Sequence, residues 1–134
     1  MQKSKTKKLT LASDFDEIIK IESFIRKLVD PSGKELFNKV ELAVNEAVTN
    51  AVIHGNKQDT TKRVYITAQR DDKKIEVTVK DEGLGFNPEN LPDPTDEKQL
   101  LKPGGRGVFL IKQNADEVTF EENATLVRMI FYIA

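Results

Sequence analysis

The chain reads as an α+β domain of two layers, with helices on one face of a mixed, mostly antiparallel sheet. Short segments that alternate apolar and polar residues make strands with one wet face. Longer segments with apolar residues at helical spacing make helices with one dry stripe. One-faced strands and one-faced helices bury their apolar sides best against each other. With 134 residues and 38% hydrophobic content, there is enough chain for one continuous core, and a single domain over residues 1–134 is expected.

The elements follow in order. Residues 1–8 are basic and expected to be a flexible terminus; Leu9 and Leu11 then alternate with polar residues as a short first strand. Ser13 is a plausible N-cap for a helix carrying Phe15, Ile18, Ile19, Phe24, Ile25, Leu28 and Val29, which Asp30-Pro31-Ser32-Gly33 ends. A second helix is expected from about Lys34 to His54. Its stripe of Val44, Ala47, Val48 and Ala51 suits close packing on a sheet, and Gly55 is positioned as a left-handed stop.

Val64, Ile66 and Ala68, then Ile75, Val77 and Val79, form a hairpin around the turn Arg70-Asp71-Asp72-Lys73. Residues 87–103 contain Pro88, Pro92, Pro94 and Pro103, which interrupt regular structure; a segment of that length reads as a mobile lid. Gly104-Gly105-Arg106-Gly107 opens a third helix with Val108, Phe109 and Ile111. Strands around 117–121 and 125–133, turned by Glu122-Asn123, close the chain.

Composition removes several functions. The 21 basic and 22 acidic residues leave a formal net charge of -1, so no global field draws in nucleic acid or an anionic membrane. Lys3, Lys5, Lys7 and Lys8 fit a solvated terminus better than a phosphate site. Cysteine is absent, which excludes disulfides and thiolate metal sites. No stretch resembles a signal peptide or a membrane span, and a soluble cytoplasmic protein is expected.

The second helix carries the most informative pattern. Glu46, Asn50 and His54 recur every fourth residue and form one ridge, each offset by about 40° from the last. Leu42, Ala43 and Ile53 share that sector, so the ridge is not expected to be fully solvated. Polar groups held near apolar neighbours need partners, and a ligand or metal is one source of them. Asn50 offers a hard carbonyl oxygen suited to magnesium; Glu46 could take a proton from an attacking hydroxyl or water. The ordinary alternative is a row of solvent-exposed polar positions. For His54 that alternative is stronger, because it sits just before Gly55 and can interact with the terminal carbonyls.

Two glycine clusters lie downstream. Asp81-Glu82-Gly83-Leu84-Gly85 and Gly104-Gly105-Arg106-Gly107 are, taken alone, a strand-ending turn and a flexible helix entry. Taken together they fit a nucleotide. Gly83 and Gly85 let the backbone approach a base or ribose, and Asp81 could accept a hydrogen bond from an exocyclic amine. A carboxylate there favours adenine over guanine, whose carbonyl it would repel. The second cluster offers backbone N–H groups at a helix N-terminus for phosphates, and Arg106 adds a forked cationic donor.

The runs ELAVNEAVTNAVIHGN, VKDEGLGF, PGGRGVFLIK and NATLVRMIF resemble, in order, the four motifs of the Bergerat-fold (histidine-kinase-like) ATPases. This is the superfamily of gyrase, MutL and the histidine kinases. The chain is most similar to the bacterial anti-sigma-factor serine/threonine kinases, over nearly its whole length. The resemblance implies a two-layer sandwich of that type, with ATP and Mg2+ as cofactors. It implies that Asn50 holds magnesium and Glu46 acts as the base. Asp81 would read the adenine amino group, with Gly83 and Gly85 shaping the base pocket. Gly105 and Gly107 would form the phosphate-binding entry after an ATP lid at 87–103, and Thr125 would support Asp81.

Two departures stand out: Ala124 replaces the glycine usual before that threonine, and the lid is proline-rich with little glycine. The implied partners are a STAS-domain anti-sigma antagonist, phosphorylated on serine or threonine, and a sigma factor sequestered by a homodimer. Neither a phosphoacceptor-histidine helix nor room for a transducer domain is read in the chain, so a sensor histidine kinase or a gyrase-type enzyme is not expected. The competing functions are an ATP-gated switch that binds a partner without phosphotransfer, and a domain that binds no nucleotide.

Overall fold

The computed structural model describes residues 5–29, 33–57, 59–83, 105–122 and 125–133. The chain runs through β1 (Lys5–Ala12), a 3₁₀ turn (Phe15–Glu17), α1 (Ile19–Val29), α2 (Lys34–Asn50), a π-helical turn (Ala51–Gly55) and β2 (Arg63–Arg70). It continues through β3 (Lys74–Lys80), α3 (Gly105–Asn114), β4 (Glu117–Glu121) and β5 (Leu126–Tyr132). The five strands form one sheet in the order β1-β2-β3-β5-β4. All four pairings are antiparallel, so the sheet expected to be mixed and mostly antiparallel is antiparallel throughout its described strands.

The alternation in the strands has the expected cause. Val64, Ile66 and Ala68 of β2 and Ile75, Val77 and Val79 of β3 are buried, whereas Tyr65 is 38% exposed. The turn between them is held by Asp71, whose carboxylate accepts the N–H groups of Lys73 and Lys74 at 2.8 and 2.9 Å. Those two bonds, in that order, hold the Asp71 carboxyl below its ordinary pKa. Against the inner face of the sheet pack Ile21, Ile25, Leu28 and Val29 of α1, and Val40, Ala43, Val44, Ala47 and Val48 of α2. Each large apolar side chain so buried contributes about 1.5–3 kcal/mol.

Four local expectations are corrected. Lys5 to Lys8 are not a flexible terminus: they belong to β1 and pair antiparallel with Arg70 to Thr67 of β2, because backbone pairing on the sheet edge extends the strand beyond its apolar residues. Ser13 does not cap α1. The 3₁₀ turn intervenes and Asp14 serves it instead, accepting the Asp16 N–H on its side chain at 2.9 Å and the Glu17 N–H on its carbonyl at 3.0 Å. Ser13 is buried, and its hydroxyl donates to the Lys62 carbonyl at 3.0 Å. Ile19 belongs to the helical apolar pattern but is 78% exposed, because it lies at the first turn of α1, off the stripe that meets the sheet.

Gly55, finally, is not the left-handed stop; among the described residues the positive φ nearest to it is that of Lys57, at 53°. The end of α2 widens into a π turn, with the Asn56 N–H bonded to the Ala51 carbonyl at 2.7 Å. Single π turns of this kind concentrate at functional sites.

The end of α1 is tied to the sheet by a side chain. Arg70 Nη1 donates to the carbonyls of both Leu28 and Val29 at 2.8 Å, satisfying two acceptors that helix geometry leaves open. Arg70→Met is expected to lower stability by about 1–3 kcal/mol. The check is the urea midpoint, which should fall with an unchanged m-value; an unmoved midpoint contradicts the capping role.

Candidate functional site

The end of α2 with its π turn, the end of β3, α3 and the last two strands meet around a shallow open cleft. Its lining is mostly apolar: Ala47 and Ala51 from the α2 side, Val79 from β3, Ile111 from α3, Phe120 from β4 and Val127 from β5. Asn50, Asp81 and Thr125 supply the polar groups. The small-residue stripe of α2 thus serves two purposes. Val44 and Val48 fill the core, and the two alanines leave the space that becomes the cleft wall.

Asn50 and Gly107 are in direct contact. A Cβ on Gly107 would lie 2.8 Å from Asn50 Nδ2 and 2.9 Å from Oδ1. The Asn50 carboxamide is partly buried and has no hydrogen-bond partner among the described residues. Gly105 and Gly107 lie in the first turn of α3, where backbone N–H groups lack acceptors within the helix. An anion placed there is favoured by those N–H groups and by the helix dipole.

Asp81 is only 7% exposed. Its N–H donates to the Thr125 carbonyl and its Oδ1 accepts the Gly83 N–H, both at 2.8 Å. Among the described residues no donor reaches Oδ2. Burial pushes the carboxyl above its ordinary pKa, outweighing the Gly83 N–H and the charges of Lys80 and Lys62, which pull the other way. A buried carboxylate with one free oxygen gains from any ligand that brings an N–H to it.

Two glycines make this arrangement sterically possible. A Cβ on Gly55 would lie 2.3 Å from the Asp81 Cγ and Oδ2, and a Cβ on Gly83 would lie 1.9 Å from the Gly55 carbonyl oxygen. The second contact is with backbone, so side-chain rotation cannot relieve it.

Of the residues singled out in the sequence, Asn50, Asp81 and Thr125 line the cleft; Gly107 lies against Asn50 and the Gly83 N–H bonds to Asp81 beside it. Thr125 meets Asp81 through its backbone only; its hydroxyl donates to the Glu122 carbonyl at 2.7 Å and accepts from Lys80 Nζ at 3.4 Å. Glu46 lies one turn before Asn50, partly buried and outside the cleft lining, and His54 is exposed. Gly85 and the expected lid at 87–103 lie outside the described residues, and Arg106 is described only by its backbone. Among the described residues no cluster of three or more His, Cys, Asp or Glu side chains could hold a metal.

Sequence reasoning missed two residues. Gly55 registers only as a helix end until its contact with Asp81 is seen. Asn56 is 0% exposed; its one signal in the sequence is an amide placed directly after the glycine that closes an apolar helix. Its Nδ2 donates to Ser13 Oγ at 2.6 Å and to the Arg63 carbonyl at 2.9 Å, and its Oδ1 accepts the Glu82 N–H at 2.7 Å.

A family model for the histidine kinase-like ATPase domain matches residues 16–131. The chain is similar to the anti-sigma F factors of Bacillus velezensis and Bacillus subtilis. Each is 32% identical over 121 residues, which is 87% of this chain and 82% of the relative. The anti-sigma F factor of a Geobacillus species is 35% identical over 105 residues, 77% of this chain and 70% of that one.

Gly83→Ala is expected to cost about 1–3 kcal/mol by overpacking, and Gly107→Ala less, because the Asn50 amide can rotate away; paired urea titrations rank the two. A second expectation concerns pH. With its pKa raised on folding, Asp81 contributes stability that is fully present below its ordinary value of 3.8 and lost as pH rises through the folded value. Asp81→Asn does not titrate. Its stability relative to wild type should therefore climb as pH rises above the ordinary carboxylate value of 3.8 and level off above the folded value, and a pH-independent difference contradicts the burial effect.

Proposed function

This chain belongs to the histidine kinase-like ATPase domain family, and we propose that it is an ATP-binding anti-sigma regulatory factor. In this reading it is a serine/threonine protein kinase that phosphorylates a STAS-domain antagonist, and it sequesters a sigma factor. The observation that carries the nucleotide part is the pair of uncommitted polar groups in one apolar cleft: Oδ2 of Asp81, and the Asn50 carboxamide beside Gly107. The name shared by the relatives, anti-sigma F factor, supports the regulatory part.

Each residue then has a role. Asp81 accepts the exocyclic amine of adenine, and the apolar lining takes the ring; Gly83 and Gly85 let the backbone come close. Thr125 holds the Asp81 backbone through its carbonyl. Gly105 and Gly107 offer N–H groups to the phosphates, and Arg106 adds a cation. Asn50 gives its carbonyl oxygen to Mg2+, together with phosphate oxygens and waters. Bound magnesium neutralises charge on the triphosphate.

Glu46 takes the proton from the attacking serine or threonine hydroxyl, whose oxygen bonds to the γ-phosphorus as ADP leaves. Its place outside the cleft lining suits a group that must meet a partner's hydroxyl. A homodimer acting in the cytoplasm completes the proposal; among the described residues no helix is long and apolar enough to cross a membrane.

Labelled ATP, magnesium and a panel of STAS-domain proteins test the proposal. Wild type should transfer label to serine or threonine. Glu46→Gln should keep ATP affinity while phosphotransfer falls by about 10²–10⁴-fold. Asn50→Ala should lose magnesium-dependent binding. Wild-type transfer by Glu46→Gln removes that residue as the base. Tight partner binding with no label on any STAS protein replaces the kinase by an ATP-gated switch.

A further inference from the structure

The Asp81–Gly83 segment is fastened by its middle residue. The Glu82 N–H donates to Asn56 Oδ1 at 2.7 Å, and the Glu82 carboxylate accepts the Arg63 N–H at 3.0 Å and the Tyr65 hydroxyl at 2.7 Å. Asn56 passes the hold onward. Both hydrogens of its amide are used, on Ser13 Oγ and the Arg63 carbonyl, and Ser13 in turn donates to the Lys62 carbonyl. One buried amide thus joins the end of α2, the segment after β1, the start of β2 and the residue next to Asp81.

These bonds are worth more than their number suggests. Asn56 is 0% exposed, and a buried amide that loses a partner pays the full desolvation penalty. The network therefore has one well-defined arrangement. Asp81 has its own anchors, the Thr125 carbonyl on its N–H and the Gly83 N–H on Oδ1. The first fixes its backbone from the β5 side. The second is local to the turn and moves with it, so the orientation of the turn depends on what holds Glu82.

We propose that Asn56 is a positioning residue for base recognition: by holding Glu82 it sets the orientation of the Asp81 carboxylate, and so the preference for a 6-amino purine over a 6-oxo purine. This rests on the nucleotide reading of the cleft given above. Asn56 touches no ligand in this role. A carboxylate held in register accepts from an exocyclic amine and repels a carbonyl, and one that can swing away discriminates poorly. Recognition by a placed polar group is where sites gain large discrimination, because the wrong ligand leaves a buried group unpaired.

The test is calorimetric titration of ATP and inosine triphosphate, with magnesium, into wild type, Asn56→Leu, Asn56→Asp and Ser13→Ala, alongside thermal unfolding of each without ligand. Asn56→Leu removes every bond. Asn56→Asp keeps an acceptor for the Glu82 N–H and loses both donors, and Ser13→Ala removes one acceptor while leaving the Glu82 bond in place. The ratio of ATP to inosine triphosphate affinity should fall by about tenfold or more in Asn56→Leu. It should fall less in Asn56→Asp and least in Ser13→Ala.

A structural role alone would lower the melting temperature and leave that ratio unmoved. An unmoved ratio in folded Asn56→Leu overturns the proposal. Should that variant not fold, an unmoved ratio in both Asn56→Asp and Ser13→Ala overturns it. Wild type that binds neither nucleotide overturns the nucleotide reading itself. Wild type that prefers ATP, with unchanged preference in the variants, leaves that reading standing and removes only the role of Asn56.

Discussion

Gly83 lies so close to the Gly55 carbonyl oxygen that it cannot carry a Cβ, and a Cβ on Gly55 would meet the Asp81 carboxylate. This contact sets how near the end of α2 comes to the end of β3. The burial of Asp81 against Gly55 follows from that distance, and the bond from the Glu82 N–H to Asn56 Oδ1 then fixes the backbone between Asp81 and Gly83. The π turn at Ala51–Gly55 belongs to the same arrangement, since the extra residue in the turn carries Gly55 to Asp81 and Asn56 into the interior.

The site uses its polar groups unevenly. Asn56 has both amide hydrogens and its oxygen engaged, whereas among the described residues one oxygen of the buried Asp81 meets no donor and Asn50 has no hydrogen-bond partner. The first arrangement rigidifies; the other two leave capacity for a ligand. Desolvation of Asp81 opposes folding, but it is one group against a core of fully buried valines, isoleucines and a phenylalanine, each worth about 1.5–3 kcal/mol. Perturbed groups in clefts mark functional sites for this reason: the rest of the fold tolerates them.

Much of this was legible in the sequence. Val64 to Ala68 and Ile75 to Val79 could be read as a hairpin because an antiparallel sheet covered on one side imposes period two, and Asp71 carries the turn chemistry. Asn50, Asp81 and Gly107 could be nominated because their residue types suit a metal, an amine and a phosphate approach. Ser13 and Ile19 were misread for one reason. A local pattern does not say whether a 3₁₀ turn will intervene, and that turn hands the capping role to Asp14 and leaves Ile19 in solvent.

Local chemistry written in the chain established the order of strands and helices, the polar ridge on α2 and the glycines after β3, because periodicity and side-chain type act over a few residues. Tertiary structure decided which of those features meet. Asn50 touches Gly107 across 57 positions of chain, Asn56 bonds to Ser13 across 43, and Glu46 falls outside the cleft although it shares the ridge with Asn50. Distances of that kind come from how α2 seats on the sheet and from where its π turn ends it. No short-range pattern encodes either.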